Sequence, residues 1–269
     1  MHAVARYTDY DDFAWFYNQY WGTRCCEQIF PIVEQMVLSA IPPRAHILDL
    51  CCGTGQVARE LVDRGYKVTG IDGSAEMIRY ARMNAPGARF IVADARWFTL
   101  PEQYHAVICT SDSLNHILNL SELRSVFDNV YQVLDGGGLF FFDMNREEAY
   151  KMRDGTTAGV VHPDDVFFIR AEYNQPEALT KFEITTFRKA MQWKRADLTL
   201  YQKCYPDNVI KRTLKEAGFR SIRTFDMEHG LSCCVRFPAT VFLSKKPKRH
   251  RSALSVSRPG ALVAMYPCM

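Results

Sequence analysis

No stretch of about eighteen or more apolar residues occurs in this 269-residue sequence, so no membrane-spanning helix and no membrane partner are expected. The segment Met1–Tyr20 holds Asp9, Asp11 and Asp12 and no apolar core of a secretory signal, so the expected location is the cytoplasm. The nine cysteines, at 25, 26, 51, 52, 109, 204, 233, 234 and 268, include no Cys-x-x-Cys pair. Neither a zinc site nor a disulfide framework follows from that spacing, and no metal is expected. Most of these thiols should be small buried hydrophobes. A basic footprint is also lacking. From Lys245 onward there are six Lys or Arg and no acid, and without that tail the net charge of +3 becomes −3. The body offers no broad positive face to nucleic acid, and no Asn-Pro-Pro-Tyr motif for a flipped base is present. The run from Lys245 to Arg251 reads as a solvated terminal tail. No internal repeat is visible.

What is present is an alternation. Residues 7–21 are rich in aromatics behind a run of aspartates, and residues 25–40 continue as an amphipathic helix ended by Pro42-Pro43. Short apolar strands follow at 46–51, 67–71, 88–92, 105–109 and 139–142. Helices fall between them at 56–65, 74–84 and 121–134, with Ser74 as an N-cap and Gly136-Gly137-Gly138 as a helix stop. Such spacing predicts a parallel sheet with helices on both faces. Between 146 and 205 the pattern becomes period-two: residues 166–173, 181–189 and 192–201 mix aromatic and charged residues as antiparallel strands do. A helix at 207–217, stopped by Gly218, and strands at 220–225 and 235–244 return to the first pattern.

The chemistry concentrates at the carboxyl ends of the early strands, where open α/β sheets bind ligands. The first strand runs into Cys51-Cys52-Gly53-Thr54-Gly55, a turn that lets a ligand approach the backbone. Gly53-x-Gly55-x-x-Ala58 also fits a dinucleotide fingerprint. Asp49, Asp72, Asp94 and Asp112, however, stand at or near four successive strand ends. Clustered carboxylates favour a cationic ligand and repel a pyrophosphate. An NAD-type oxidoreductase is the alternative this disfavours.

In order along the chain, Leu48-Asp-Leu-Cys-Cys-Gly-Thr-Gly55, Gly70-Ile-Asp-Gly-Ser-Ala-Glu-Met77, Val92-Ala-Asp-Ala95, Val107 to His116 and Val133 to Leu139 resemble the motifs of class I S-adenosylmethionine (SAM) dependent methyltransferases of the small-molecule type. The resemblance spans roughly residues 7–246, and the ordered set is specific where its single pieces are not. Cys51 departs from it, standing where many members have glycine. The resemblance implies a Rossmann-like seven-stranded, mostly parallel sheet in the order 3-2-1-4-5-7-6, with the last strand antiparallel and an inserted antiparallel β lid. It divides the chain into an N-terminal cap over the cofactor (1–40), a SAM-binding domain (41–145 and 206–246), a substrate lid (146–205) and a basic tail (247–269). It implies that Asp72 contacts ribose, Met77 packs on adenine, and Asp94 and Ala95 meet the adenine edge. Asp49 would attract the methionine ammonium. Cys51, Cys52, Gly53, Thr54, Gly55, Gly73, Ser74, Arg96, Thr110, Ser111 and Asn115 would complete the cofactor site, and Tyr10, Tyr17 and Trp21 would close over it.

Methyl transfer needs mainly proximity and orientation, and a general base only if the acceptor must lose a proton. His116, just past the fourth strand, is the candidate for orienting or deprotonating the acceptor, with Asp112, Ser113 and Asn115 on the same wall. Phe167, Phe168, Tyr173, Phe182, Phe187, Trp193 and Tyr201 of the inserted strands are expected to shape a lid over it, or else to serve as a homodimer interface or as extra core. The expected activity is methyl transfer to nitrogen, oxygen or carbon of a small molecule. A SAM-binding protein without turnover is the remaining alternative.

Overall fold

The computed structural model describes residues 10–101, 103–227 and 238–248. From residue 249 the expected basic tail lies outside the described residues, as does the start of the strand expected at Val235. In chain order the elements are α1 (Ala14–Phe16), a π-helical turn (Tyr17–Trp21), α2 (Gly22–Met36), β1 (His46–Leu50), α3 (Gln56–Asp63), β2 (Lys67–Asp72), α4 (Ala75–Asn84), β3 (Arg89–Val92) and β4 (Tyr104–Cys109). A 3-10 turn (Ser113–His116), α5 (Leu120–Val133), β5 (Leu134–Asn145) and α6 (Glu147–Arg153) come next. They lead to β6 (Thr157–Val161), β7 (Asp165–Asn174), β8 (Leu179–Lys189), β9 (Trp193–Lys203), α7 (Asp207–Glu216), β10 (Arg220–Asp226) and β11 (Ala239–Lys245).

Seven strands form one sheet in the order β10-β11-β5-β4-β1-β2-β3. With β10 and β11 counted as its sixth and seventh strands, this is the expected order. Strands β1 to β5 pair in parallel, and β11 runs antiparallel to both β5 and β10. Strands β1 and β4 are buried along nearly their whole length because helices cover both faces. Phe141 packs on the α2–α4 side, whereas Phe140 and Phe142 point to the α5–α7 side, as period two requires. Among the described residues no helix is long and apolar enough to cross a membrane.

The glycine run is not a helix stop. Helix α5 ends at Val133, and Leu134 already pairs with Tyr104, so Gly136-Gly137-Gly138 lies inside β5. The register shifts there, and the Gly137 N–H donates to the Lys246 carbonyl at 2.9 Å. The run is thus an irregular strand start that glycine's missing side chain permits.

The inserted segment forms a separate antiparallel sheet, β6-β7-β8-β9. Its inner face buries Phe167, Ala171, Phe182, Ile184 and Leu200 against Phe13, Phe16 and Tyr150. The Phe16 and Phe167 rings stack with centroids 4.2 Å apart. Phe168, Trp193 and Tyr201 are exposed on this sheet. Strand β6 and helix α6 were not anticipated. Every residue of β6 is exposed, so its sequence carries no alternation, and α6 is only seven residues long.

Candidate active site

At the end of β1 the chain must reverse into α3 within a few residues. It does so through left-handed conformations at Cys51 (φ 58), Gly53 (φ 51) and Gly55 (φ 84). A Cβ at Gly55 would lie 2.9 Å from the Cα of Ala81, so glycine there also sets how closely α3 meets α4. Cys51 keeps a glycine-like backbone in spite of its side chain, a strain of about 1–2 kcal/mol for an L-residue. The turn is held from the side by Asp72, whose carboxylate accepts from the Gly53 N–H and the Ser74 N–H, each at 2.9 Å.

These strand ends floor a cleft that encloses about 1050 Å³, open solvent at its mouth included. Its lining contains Tyr10, Tyr17, Asp49, Cys51, Cys52, Gly53, Asp72, Gly73, Met77, Asp94, Ala95, Arg96, Thr110, Ser111, Ser113 and His116 of the residues singled out from sequence. Five others of the expected cofactor residues do different work. Trp21 packs edge-on against Phe13, Phe16 and Phe167. Thr54 is fully buried and donates to Gln56 Oε1 at 2.7 Å. Gly55 packs on Ala81. Ser74 caps α4 by accepting from the Met77 N–H and donates to Asp11 Oδ1 at 2.6 Å. Asn115 donates to the Lys203 carbonyl and accepts from the Asn145 N–H, each at 2.9 Å. Gly22, Cys25 and Cys26 of α2, Gln56 and Val57 of α3, and Ile117 also line the cleft but were not singled out. The small residues near the start of α2 were a usable signal for the first three. Both Gln56 and Val57 sit on the helical turn that directly follows the glycine motif.

The cleft is acidic. Asp49 is 1% exposed, and its Oδ2 has no hydrogen-bond partner among the described residues. Burial, then the neighbouring Asp72 carboxylate, pushes the Asp49 carboxyl up to about 8. Burial likewise raises Asp72 to about 6, although the two backbone N–H donors oppose the shift. Asp94 is already engaged: Arg96 binds it with two nitrogens, Nε at 2.9 Å and Nη2 at 2.7 Å, and reaches Glu122 at 3.1 Å through Nη1. The Arg96 charge is thereby balanced, and the cleft retains Asp49 and Asp72 as carboxylates without a cationic partner among these contacts.

At the other end of the cleft, Ser111 (φ 61) and Asp112 (φ 49) are both left-handed. Asp143 of β5 holds them there by accepting from the Ser111 N–H at 2.8 Å and the Asp112 N–H at 2.9 Å. Burial, then the nearby Asp112 carboxylate, raises Asp143 to about 7. Asp112 does not line the cleft; its Oδ2 accepts from Asn145 Nδ2 at 2.8 Å and Gln202 Nε2 at 2.7 Å. His116 Nε2 lies 2.9 Å from the Tyr10 hydroxyl and 3.1 Å from Gln202 Nε2. No side chain of the inserted strands lines the cleft; the lid sheet meets its wall through Gln202. Among the described residues no His, Cys, Asp and Glu group could hold a metal ion.

Comparison with known proteins agrees with this geometry. A family profile describing a methyltransferase domain matches residues 47–138. A putative methyltransferase of Geobacillus sp. (strain WCH70) is 31% identical over 184 residues, covering 64% of this chain and 73% of that protein. A SAM-dependent methyltransferase from Clostridium acetobutylicum superposes with a TM-score of 0.74 at 21% identity, covering 88% of this chain and 99% of the other. A sugar N-methyltransferase from Streptoalloteichus sp. superposes with a TM-score of 0.71 at 18% identity, covering 92% and 96%. With the strand order, the glycine turn and the acidic cleft, these matches show that the chain belongs to the class I SAM-dependent methyltransferases.

Proposed function

We propose that this methyltransferase methylates a nucleophilic nitrogen, oxygen or carbon of a diffusible small molecule, with Asp49 and Asp72 holding the cofactor and Tyr10, Ser113, His116 and Ile117 forming the acceptor end. The observation that carries the assignment is the buried Asp49 oxygen without a hydrogen-bond partner among the described residues. The residues fit the cofactor: an ammonium would complete that hydrogen bond, and a pyrophosphate would meet two carboxylates with no compensating cation. SAM supplies a methyl group activated by its sulfonium. The chain supplies orientation and exclusion of water. Asp72 fixes the glycine turn and offers a carboxylate beside it. Met77 and Ala95, both buried, give an apolar wall. Tyr17 stays a neutral phenol, since burial holds its pKa well above the usual value. Within this reading residues up to 40 cap the cofactor, and residues 146–205 brace the acceptor wall. Similarity to a sugar N-methyltransferase supports a small acceptor. The enzyme would act in the cytoplasm without a nucleic-acid partner, and sedimentation would show whether it does so as a homodimer.

The test is calorimetric titration with SAM, S-adenosylhomocysteine (SAH) and NAD. Binding of the first two, weakened at least tenfold in Asp72→Ala, supports the reading. Binding of NAD alone overturns it.

A further inference from the structure

Cys51 stands in the glycine turn where many methyltransferases have glycine, and its side chain meets a second thiol there. Strand β1 ends at Leu50 and β4 at Cys109. The two strands pair in parallel with Asp49 level with Ile108, so Leu50 comes level with Cys109 and Cys51 lies one residue beyond. A strand spacing of about 4.8 Å and a rise of about 3.3 Å per residue put the Cα atoms of Cys51 and Cys109 roughly 6 Å apart. A disulfide spans Cα separations of about 4.4–6.8 Å.

The two side chains also share a face of the sheet. Cys109 belongs to the apolar cluster on the α5–α7 side, and Cys51 packs against that cluster. Cys52 goes the other way. It belongs to the α2–α4 side, and its sulfur lies 3.0 Å from where a Cβ at Gly70 would stand. Burial, then contact with the Cys51 thiol, raises the Cys109 thiol well above its usual pKa. Both are free thiols. Cys51 lines the cleft, whereas Cys109 is 1% exposed behind it.

We propose that Cys51 and Cys109 form a redox-active dithiol, which a peroxide closes to a disulfide when no ligand covers the cleft floor. Cys51, on the cleft side, is the group the oxidant reaches. Its sulfur, on losing its proton, bonds to one peroxide oxygen. The O–O bond breaks, the departing oxygen takes up that proton and leaves as water, and Cys51 becomes a sulfenic acid. The Cys109 sulfur then attacks the Cys51 sulfur. The S–O bond breaks, and the Cys109 proton leaves with the hydroxide as a second water. Two thiols give up two hydrogens and two electrons, and one peroxide becomes two waters. Cys109 is the resolving thiol because burial denies it the oxidant. Shielding of Cys51 by the cofactor rests on the reading of this cleft as the SAM site; the disulfide does not.

The experiment treats the reduced full chain with hydrogen peroxide, blocks the remaining thiols under denaturing conditions, and maps the peptides by tandem mass spectrometry. A Cys51–Cys109 crosslink should appear, lighter by two hydrogens and reversed by dithiothreitol. It should persist in Cys52→Ala. In Cys109→Ala, Cys51 should instead pass to the sulfinic acid, which dithiothreitol does not reverse. SAH at about ten times its Kd leaves roughly one cleft in eleven open, so crosslinking should slow about tenfold. A disulfide from Cys51 to Cys52 or Cys25, or sulfinic acid at Cys51 in the unsubstituted chain with no crosslink, overturns the proposal without any variant. An undiminished rate with SAH bound, as calorimetry reports it, overturns the shielding. Failure of SAH to bind at all overturns the functional reading instead, and the crosslink still decides the dithiol.

Discussion

Asp49 brings to the cleft a carboxyl group that burial and Asp72 keep partly protonated up to about pH 8. A ligand ammonium prefers the ionised form, so binding must draw a proton off Asp49. SAH affinity should therefore rise from pH 6 to pH 8, approaching tenfold per unit, and flatten as the ligand's own amine begins to deprotonate near 8. Calorimetry across that range checks it, and in Asp49→Asn the dependence should shrink. A flat profile in the unsubstituted enzyme would mean that Asp49 does not face the cation. Gly55 gives a second residue-scale expectation. Gly55→Ala meets both a left-handed φ and a 2.9 Å contact with Ala81, so it should destabilise the fold by about 2 kcal/mol or more in urea titration. Asp49, Gly53, Asp72 and Asp94 were legible because strand ends and a glycine turn place them by local rules. Cys25 and Cys26 were signalled only as small residues near the start of α2; that they reach the lining depends on how α2 crosses the sheet edge, a tertiary fact. Trp21 misled for the same reason: the aromatic segment that supplies Tyr10 and Tyr17 to the cleft turns Trp21 onto Phe167 instead.

Elements that alternate in burial announced themselves, and those that do not stayed hidden. Strands β7, β8 and β9 were readable from period two, but β6 is exposed along its whole length and α6 makes barely two turns. The inner face of the lid sheet is tied to the N-terminal segment by Phe13, Phe16, Trp21 and Phe167. Phe167→Ala should remove about 3 kcal/mol of packing. Because Tyr10, Tyr17, Cys25 and Cys26 reach the cleft from the same N-terminal stretch, hydrogen exchange over residues 10–21 should accelerate and SAH affinity should fall. Unaltered exchange in that stretch would show that α3 and α4 hold it without the lid. Asn18, accepting from Asn84 Nδ2 at 2.6 Å, and Asp11, accepting from Ser74 Oγ at 2.6 Å, are contacts that could do so.

For the whole molecule the three raised carboxyls act together. Asp49, Asp72 and Asp143 have folded-state values of about 8, 6 and 7, above the usual carboxylate range near 4. A raised folded value gives stability that is complete below the unfolded value and is lost as pH rises through the folded one. The ligand-free enzyme should therefore melt at a lower temperature at pH 8.5 than at pH 5.5. Each group contributes up to about 1.4 kcal/mol per pH unit inside its own window. Differential scanning fluorimetry reads the trend, and Asp49→Asn should soften its upper part. A melting temperature that rises over this interval would show that these groups ionise freely in the folded protein. The strand–helix alternation predicted only a parallel sheet with helices on both faces; the strand order became legible at this scale through the family resemblance.

The cap is also the part of the wall made first and finished last. Tyr10 and Phe16 leave the ribosome before every strand, yet their partners are His116 and Phe167, separated from them by 106 and 151 positions. The nascent chain can build the glycine turn and its Asp72 brace while the cleft still lacks one side. If the cleft is the cofactor site as proposed, competence for the cofactor should arrive only after translation has passed β7, and a chain stalled before it should carry the whole glycine turn and no closed site.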